Sequence, residues 1–259
     1  MIERFAARLD EAAATRTPCA QLSDGQTLSL DDAYSVQQAL VERRIARGER
    51  AYGVKLGFTS KAKAAQMGVF DVIIGRLTSG MVIPDGDTLD LAGFIHPRAE
   101  PEVAFRLGRD VVPGEIPGSD LVDAVAPAVE VIDSRYRDFR FSLADVVADN
   151  TSAAALVLGP WRPLGDEGPT GLDNRGVLLE VDGRIAGSGS TAAILGDPLL
   201  AVPAAVRMAH RYGIPLPAGT VLLAGAATPA VALRANTHVS ATISGLGRAR
   251  FSVTDGGGA

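Results

Sequence analysis

Glu102-Val-Ala-Phe-Arg-Leu107 alternates with period 2, which puts Val103, Phe105 and Leu107 on one face of a strand and Glu102 on the other. Val129-Glu-Val-Ile132 reads as a second, buried strand. Towards the C-terminus, Val177-Leu-Leu-Glu-Val181, Asp182-Gly183 and Arg184-Ile185 carry the signal of a hairpin with a type I′ turn. Asp197-Pro198 then introduces a helix from Leu199 to about Tyr212, closed by Gly213 and followed by Pro215. Val239–Ile243 and Ala249–Val253 return to strand, joined through Gly245-Leu-Gly247. Towards the N-terminus the pattern is helical. Ile2, Phe5, Leu9 and Ala12 share a face of a short helix that the Thr15–Pro18 stretch ends. Ser29-Leu-Asp-Asp32 opens a second helix, running to about Gly48, with Ala33, Val36, Leu40 and Ile45 as its apolar stripe. Strands are not regularly interleaved with helices, so a doubly wound parallel sheet is excluded and an α+β fold with a mixed sheet or β-roll is expected. The chain divides into an N-terminal helical segment (1–51), a β-rich domain (52–254) and a flexible tail (255–259).

Across 259 residues, 47% apolar and 21% charged types fit a globular chain and exclude a disordered, collagen-like or coiled-coil one. The lone Cys19 excludes a disulfide framework and a cysteine zinc site. A net charge of −5 argues against a sequence-independent nucleic-acid binder, which needs a basic surface. Val221–Leu233, taken as the longest nearly uncharged apolar stretch, is shorter than the roughly 18 residues of a membrane span. The N-terminus has no signal-peptide core, so a cytoplasmic location without membrane attachment is expected. Only Lys55, Lys61 and Lys63 among 25 basic residues are lysines. Because an ammonium is a compact charge whose pKa can be moved, that window is the place to look for chemistry. Lys61 and Lys63, in Ser60-Lys-Ala-Lys-Ala-Ala-Gln66, fit an exposed helical turn; Lys55 fits either a surface position near a strand end or a functional one.

Glu100 and Glu102 share a strand face. Arg98 and Arg106 have the same parity, as on a solvated, ion-paired face. Glu130 is harder to place, being one charge inside the apolar run Ala126-Pro-Ala-Val-Glu-Val-Ile132. A buried carboxylate needs an arginine, a proton or a metal. Arg135 is one candidate partner. If Glu130 instead meets Glu100 and Glu102, three carboxylates at one point call for a hard divalent cation such as Mg²⁺ or Mn²⁺.

With these residues in view, the sequence resembles the hydratase/decarboxylase branch of the fumarylacetoacetate hydrolase superfamily, enzymes of aromatic meta-cleavage pathways. The matching pieces are Gly53-Val-Lys-Leu-Gly-Phe-Thr-Ser60, His96-Pro-Arg-Ala-Glu-Pro-Glu-Val-Ala-Phe105, Pro127-Ala-Val-Glu-Val-Ile-Asp-Ser-Arg135, Val147-Ala-Asp-Asn-Thr-Ser152 and the glycine-rich Ala218–Gly225 and Gly245–Gly247. The resemblance implies a mixed-sheet roll or sandwich of that superfamily, with 52–254 as the catalytic domain. It implies Mg²⁺ or Mn²⁺ held by Glu100, Glu102 and Glu130, chelating a 2-oxo acid, with Lys55 facing the bound substrate. Ile73, Arg135, Asn150 and Ser152 are the further substrate-binding candidates, although Asp149, Asn150 and Ser152 equally suit helix caps. A homo-oligomer, associated with the vinylpyruvate hydratase that consumes an unstable dienol product, is the partner expectation.

Hydratases of the branch usually carry an acid two residues before the glycine of a Pro-Asp-aromatic-Gly stretch. In Val69-Phe-Asp-Val-Ile-Ile-Gly75 that position is Ile73, and Asp71 is out of register. An apolar residue there, and the Asp133–Phe141 segment, resemble the decarboxylases. The expectation is therefore metal-dependent decarboxylation of 2-oxohex-3-enedioate (4-oxalocrotonate). 2-Hydroxypenta-2,4-dienoate hydratase is the alternative and a non-catalytic 2-oxo acid binding protein a remote third. A C–C hydrolase would need a base such as His96, whose Pro97 neighbour fits the decarboxylase pattern instead.

Overall fold

The computed structural model describes residues 1–60, 71–112, 114–115, 117–164 and 171–256. Two sheets carry the architecture. The nine-stranded one has the order β2-β1-β11-β5-β6-β7-β3, with β12 added to β5 and β8 to β6. Its strands are β1 (Ala51–Gly57), β2 (Ile73–Thr78), β3 (Val82–Ile83), β5 (Arg98–Leu107), β6 (Val122–Ile132), β7 (Ala153–Leu158), β8 (Arg162–Pro163), β11 (Val221–Ala226) and β12 (Val231–Ala232). The five-stranded sheet runs β10-β9-β13-β14-β4, from β10 (Arg184–Ser190), β9 (Gly176–Val181), β13 (Thr237–Ile243), β14 (Gly247–Thr254) and β4 (Thr88–Asp90). β1 pairs parallel with β11 and β3 parallel with β7, while β5, β6 and β7 are antiparallel neighbours. The sheet is mixed, as expected, with helices at the chain's N-terminus.

Helices form where the caps and stripes predict them. α1 (Ile2–Thr15) ends at Arg16, which takes a left-handed φ of 53° before Pro18. α2 (Leu30–Ala46) starts at Ser29, whose side chain accepts from the Asp32 N–H. Its buried stripe is Ala33, Val36 and Leu40 with Tyr34, Gln37 and Val41; Ile45 lies outside it, 40% exposed. α3 (Leu143–Ala148) is a helix the sequence reading did not anticipate, opened by a full capping box between Ser142 and Asp145. α4 (Ala201–Arg211) follows a 3₁₀ turn at Pro198–Leu200. The hairpin turn is as expected, with Asp182 and Gly183 both at positive φ.

Three apolar layers result. α1, α2, α3 and α4 pack on one face of the large sheet, through Phe5, Leu9, Tyr34, Leu40, Val147 and Val206 against Ile74, Phe105 and Leu222. The two sheets enclose Val129, Val131, Val157, Val239 and Phe251 between them. The large sheet's other face holds Leu77, Met81, Ala104, Ala128, Leu156 and Leu223. The N-terminal helices thus share one core with the strands. Thr191–Arg211 exceeds the apolar stretch singled out above and passes as a membrane span by length and composition. It is interrupted at Leu195 and Gly196, both at positive φ, and its helix buries Val202, Val206 and Met208 in the core. The exposed helical turn expected around Lys61 and Lys63 lies outside the described residues.

Candidate active site

The three glutamates meet on the face of the large sheet that carries Ala104, Ala128 and Leu156, opposite to Val129 and Val131. Glu100 stands directly across the β5–β6 ladder from Glu130, and Glu102 is two residues along the same strand. Paired residues in a ladder share a face, so all three side chains project the same way. One oxygen from each lies within 4.8 Å of the others, and the residues are 7%, 1% and 0% exposed. A solvated strand face is therefore ruled out at this end of β5. Only its far end behaves that way, where Arg106 pairs with Asp123 at 2.9 Å.

Lys55 lies within β1 and is 4% exposed, not at the surface. Its Nζ is 2.9 Å from Glu130 Oε2 and donates to the Thr151 carbonyl at 3.1 Å. Glu130 pairs with this lysine and not with Arg135. Glu102 Oε2 accepts from the Gly225 N–H at 2.7 Å. Burial, then the neighbouring Glu130 carboxylate, hold the Glu102 carboxyl well above its ordinary range, with Lys55 opposing. Burial also raises Glu130, against the pull of Lys55. For Lys55 burial works against the ammonium, but Glu130, Glu102 and Glu100 outweigh it, so the lysine is held above its ordinary value.

An all-oxygen donor set of three carboxylates, facing one lysine, fits a hard divalent cation. Glu130 adds a specific sign of fit. Apart from the Lys55 ion pair at Oε2, its two buried oxygens have no well-formed hydrogen bond among the described residues, so coordination would satisfy capacity that the protein leaves open.

The remaining candidates sort by what they touch. Arg135 donates through its backbone N–H and Nε to the Asp149 carboxylate, and through its Nη atoms to the Asp133, Ala153 and Asp149 carbonyls. Asp149 is thus the arginine's counter-ion and caps nothing with its side chain. Asn150 does not cap a helix either. Its amide accepts from the Arg76 N–H and donates to the Arg76 carbonyl, both at 2.8 Å, clamping the backbone of β2. Asn150, Thr151 and Ser152 are all left-handed, with φ of 51°, 52° and 59°. That turn aims the Thr151 carbonyl at Lys55 and leaves Thr151 Oγ1 and Ser152 Oγ buried without partners among the described residues.

Ile73 is buried at the start of β2, on Lys55's side of the β1–β2 ladder, where Lys55 faces Gly75 and Gly57 faces Ile73. Asp71 is bound to Arg207 by contacts of 2.6 and 2.7 Å. His96 contacts the Ser134 carbonyl at 2.7 Å through Nε2 and lies against the Phe139 ring. Three groups were not foreseen as parts of the site: the Thr151 carbonyl, the Gly225 N–H and Gly75. A Cβ at Gly75 would come within 2.2 Å of Thr151 Oγ1 and 3.1 Å of Lys55 Cδ. Gly225 has φ +119° and leaves no room for a Cβ beside Thr59. The glycine within the apolar run Leu222–Ala227 was the one available signal.

Residues 51–254 match the family model described as fumarylacetoacetate (FAA) hydrolase C-terminal. The chain is 47% identical to a 4-oxalocrotonate decarboxylase of Pseudomonas sp over 255 residues, covering 98% of both chains. It is 40% identical to a 2-keto-4-pentenoate hydratase of Burkholderia vietnamiensis, again with 98% of each covered. Among solved structures, 4-oxalocrotonate decarboxylase from Pseudomonas putida G7, complexed with magnesium and adipate, superposes with a TM-score of 0.89 at 32% identity over 97% of each chain. The same enzyme complexed with calcium and acetate gives 0.87.

Proposed function

Because the chain belongs to the fumarylacetoacetate hydrolase family, we propose that it is a divalent-metal-dependent carboxy-lyase that converts 2-oxohex-3-enedioate (4-oxalocrotonate) to 2-hydroxypenta-2,4-dienoate and CO₂. The supporting observation is the partnership of Lys55. Its carboxylate neighbour is a glutamate of the metal-binding cluster, the hydratase acid position is the buried apolar Ile73, and Asp71 is held by Arg207. Adding water to a dienol needs a proton at one carbon and a hydroxyl at another, for which an acid/base pair is suited. Losing CO₂ needs an electron sink. The C5–C6 bond breaks, its pair moves through the conjugated chain onto the C2 oxygen, and a proton taken up there gives the dienol.

A divalent ion held by Glu100, Glu102 and Glu130 supplies Lewis-acid stabilisation of that charge. Lys55, anchored on the Thr151 carbonyl, sets a second positive charge at the edge of the cluster, to orient the substrate dianion and hold a proton near the developing oxyanion. Ile73 offers the departing carboxylate no counter-charge. Ser152 Oγ, buried and unpartnered, is a donor for the substrate. Asn150 and Arg135 act behind this layer, through the β2 backbone and Asp149. Six-carbon adipate in the related decarboxylase matches the length of the proposed substrate.

The test is CO₂ evolved from 2-oxohex-3-enedioate. Wild type should release it with Mg²⁺ or Mn²⁺ and stop in chelator. Lys55→Met should lower kcat by about a hundredfold or more, a typical loss on removing one transition-state charge. Lys55→Arg should rescue poorly, and Ile73→Asp should damage decarboxylation by pairing with Lys55. The hydratase reading draws on relatives such as the 40% identical one. Rapid hydration of 2-hydroxypenta-2,4-dienoate with no metal-dependent CO₂ release would establish it in place of ours. We also propose a homo-oligomer that hands its dienol to a hydratase; clean separation of the two proteins at micromolar concentration would count against that.

A further inference from the structure

Beside the start of β1 and the end of β2 lies a cavity of about 370 Å³ whose lining contains none of the three glutamates and not Lys55. Val41, Ile45, Tyr52, Leu77, Ile214 and Pro217 give it apolar walls, and Arg76 projects among them. Neighbouring residues of a strand point to opposite faces, so Gly75 borders the glutamate site while Arg76 turns away from it. Arg76 Nε is buried with no hydrogen-bond partner, and its guanidinium forms no ion pair among the described residues. The nearest opposing charge is Glu42, on the exposed rim and already accepting from Gln38 Nε2 at 2.8 Å. Tyr52 is the other titratable group in the wall.

A buried donor without an acceptor is costly, and a planar guanidinium can pair with a carboxylate through two parallel hydrogen bonds. The volume is in the range of small-molecule sites, and the lining is mostly apolar, with Arg76 as its one cation and Glu42 and Thr220 as polar groups beside it. We propose that this cavity binds a small amphipathic monocarboxylate, its carboxylate on Arg76 and its hydrocarbon body against Val41, Ile45, Tyr52 and Ile214. The site is separate from the glutamate cluster and needs no metal.

Hexanoate is the probe and 1-hexanol its neutral control, measured by titration calorimetry in Mg²⁺-free buffer. Hexanoate should bind with one site per chain, at least about tenfold more tightly than 1-hexanol, the gain expected of a charge-assisted hydrogen bond. Glu130→Gln, which disables the cluster, should leave that affinity unchanged. Arg76→Gln should weaken hexanoate about tenfold while sparing 1-hexanol, and Ile45→Asp at the rim should weaken both. Thermal unfolding of each variant checks the fold. Equal binding of acid and alcohol, loss of binding in Glu130→Gln, or no saturable heat would each overturn the proposal. So would an Ile45→Asp variant whose only change is a lower particle mass, because the cavity would then be a contact between copies of the chain.

Discussion

A lysine beside three glutamates is short of positive charge by two, a difference that a divalent ion would supply. This balance is local to four side chains and predicts how each substitution fails. Glu130→Gln removes the carboxylate whose only well-defined partner among the described residues is Lys55, at Oε2. Calorimetry should show Mg²⁺ affinity falling by at least about a hundredfold, more than the loss of an outer-layer partner causes. The protein should stay folded, because Glu100 and Glu102 still balance the Lys55 ammonium. An unchanged affinity would remove Glu130 from the metal site. At this scale the sequence was informative wherever a charge sat in the wrong company. Glu130 inside an apolar run had to find a partner, and three lysines among many arginines drew notice to Lys55. Its anchor was not legible, since the Thr151 carbonyl belongs to the backbone and every residue has one. The Arg135–Asp149 pair was equally hidden, because nothing in spacing distinguishes one acid from another as the arginine's counter-ion.

Among elements, the contact that matters is between β2 and the left-handed turn after α3. Three consecutive non-glycine residues at positive φ are costly, each by about 1–3 kcal/mol, and persist only where their surroundings hold them. Asn150 supplies that hold by clamping Arg76, and Gly75 lets Thr151 approach. Gly75→Ala should therefore cost about 1–3 kcal/mol by overpacking and lower kcat through a displaced Lys55, with KM less affected. Gly176→Ala, where a new Cβ meets nothing within 4 Å, is the matched control and should leave both stability and kcat almost unchanged. Equal behaviour of the two variants would deny the turn its role. The long elements were readable because each repeats its pattern several times: α1, α2, the Val177–Ile185 hairpin and the final strand pair. α3 was missed because six residues make less than two turns, too few for a periodic stripe. The register that sets Glu130 opposite Glu100 comes from pairing between distant segments, which no local pattern records.

For the molecule as a whole, the buried glutamates should make stability depend on pH and, in the proposed site, on metal together. Glu102, raised above the ordinary 4.5 in the folded chain, favours folding at pH below its unfolded value, and that contribution is lost as pH rises through the higher folded value. In chelator, Tm should therefore fall as pH is raised from the acid side of neutrality towards 8. With Mg²⁺ the drop should shrink, because the ion favours the ionised cluster, so the metal-induced gain in Tm should grow with pH. A gain independent of pH would argue that the cluster is not where the metal binds.

The sheet order has a further consequence, for synthesis. Lys55 reaches Glu130 only because β11 is inserted between β1 and β5. Residues 51–57 and 98–132 leave the ribosome early, but the strand that fixes their spacing ends at residue 226. At elongation speeds of about 5–20 residues per second, that strand emerges on the order of 5–20 s after Glu130. Until then nothing holds Lys55 beside the three acids, so a nascent chain stalled before Val221 should have no means of reacting even where β5 and β6 have paired.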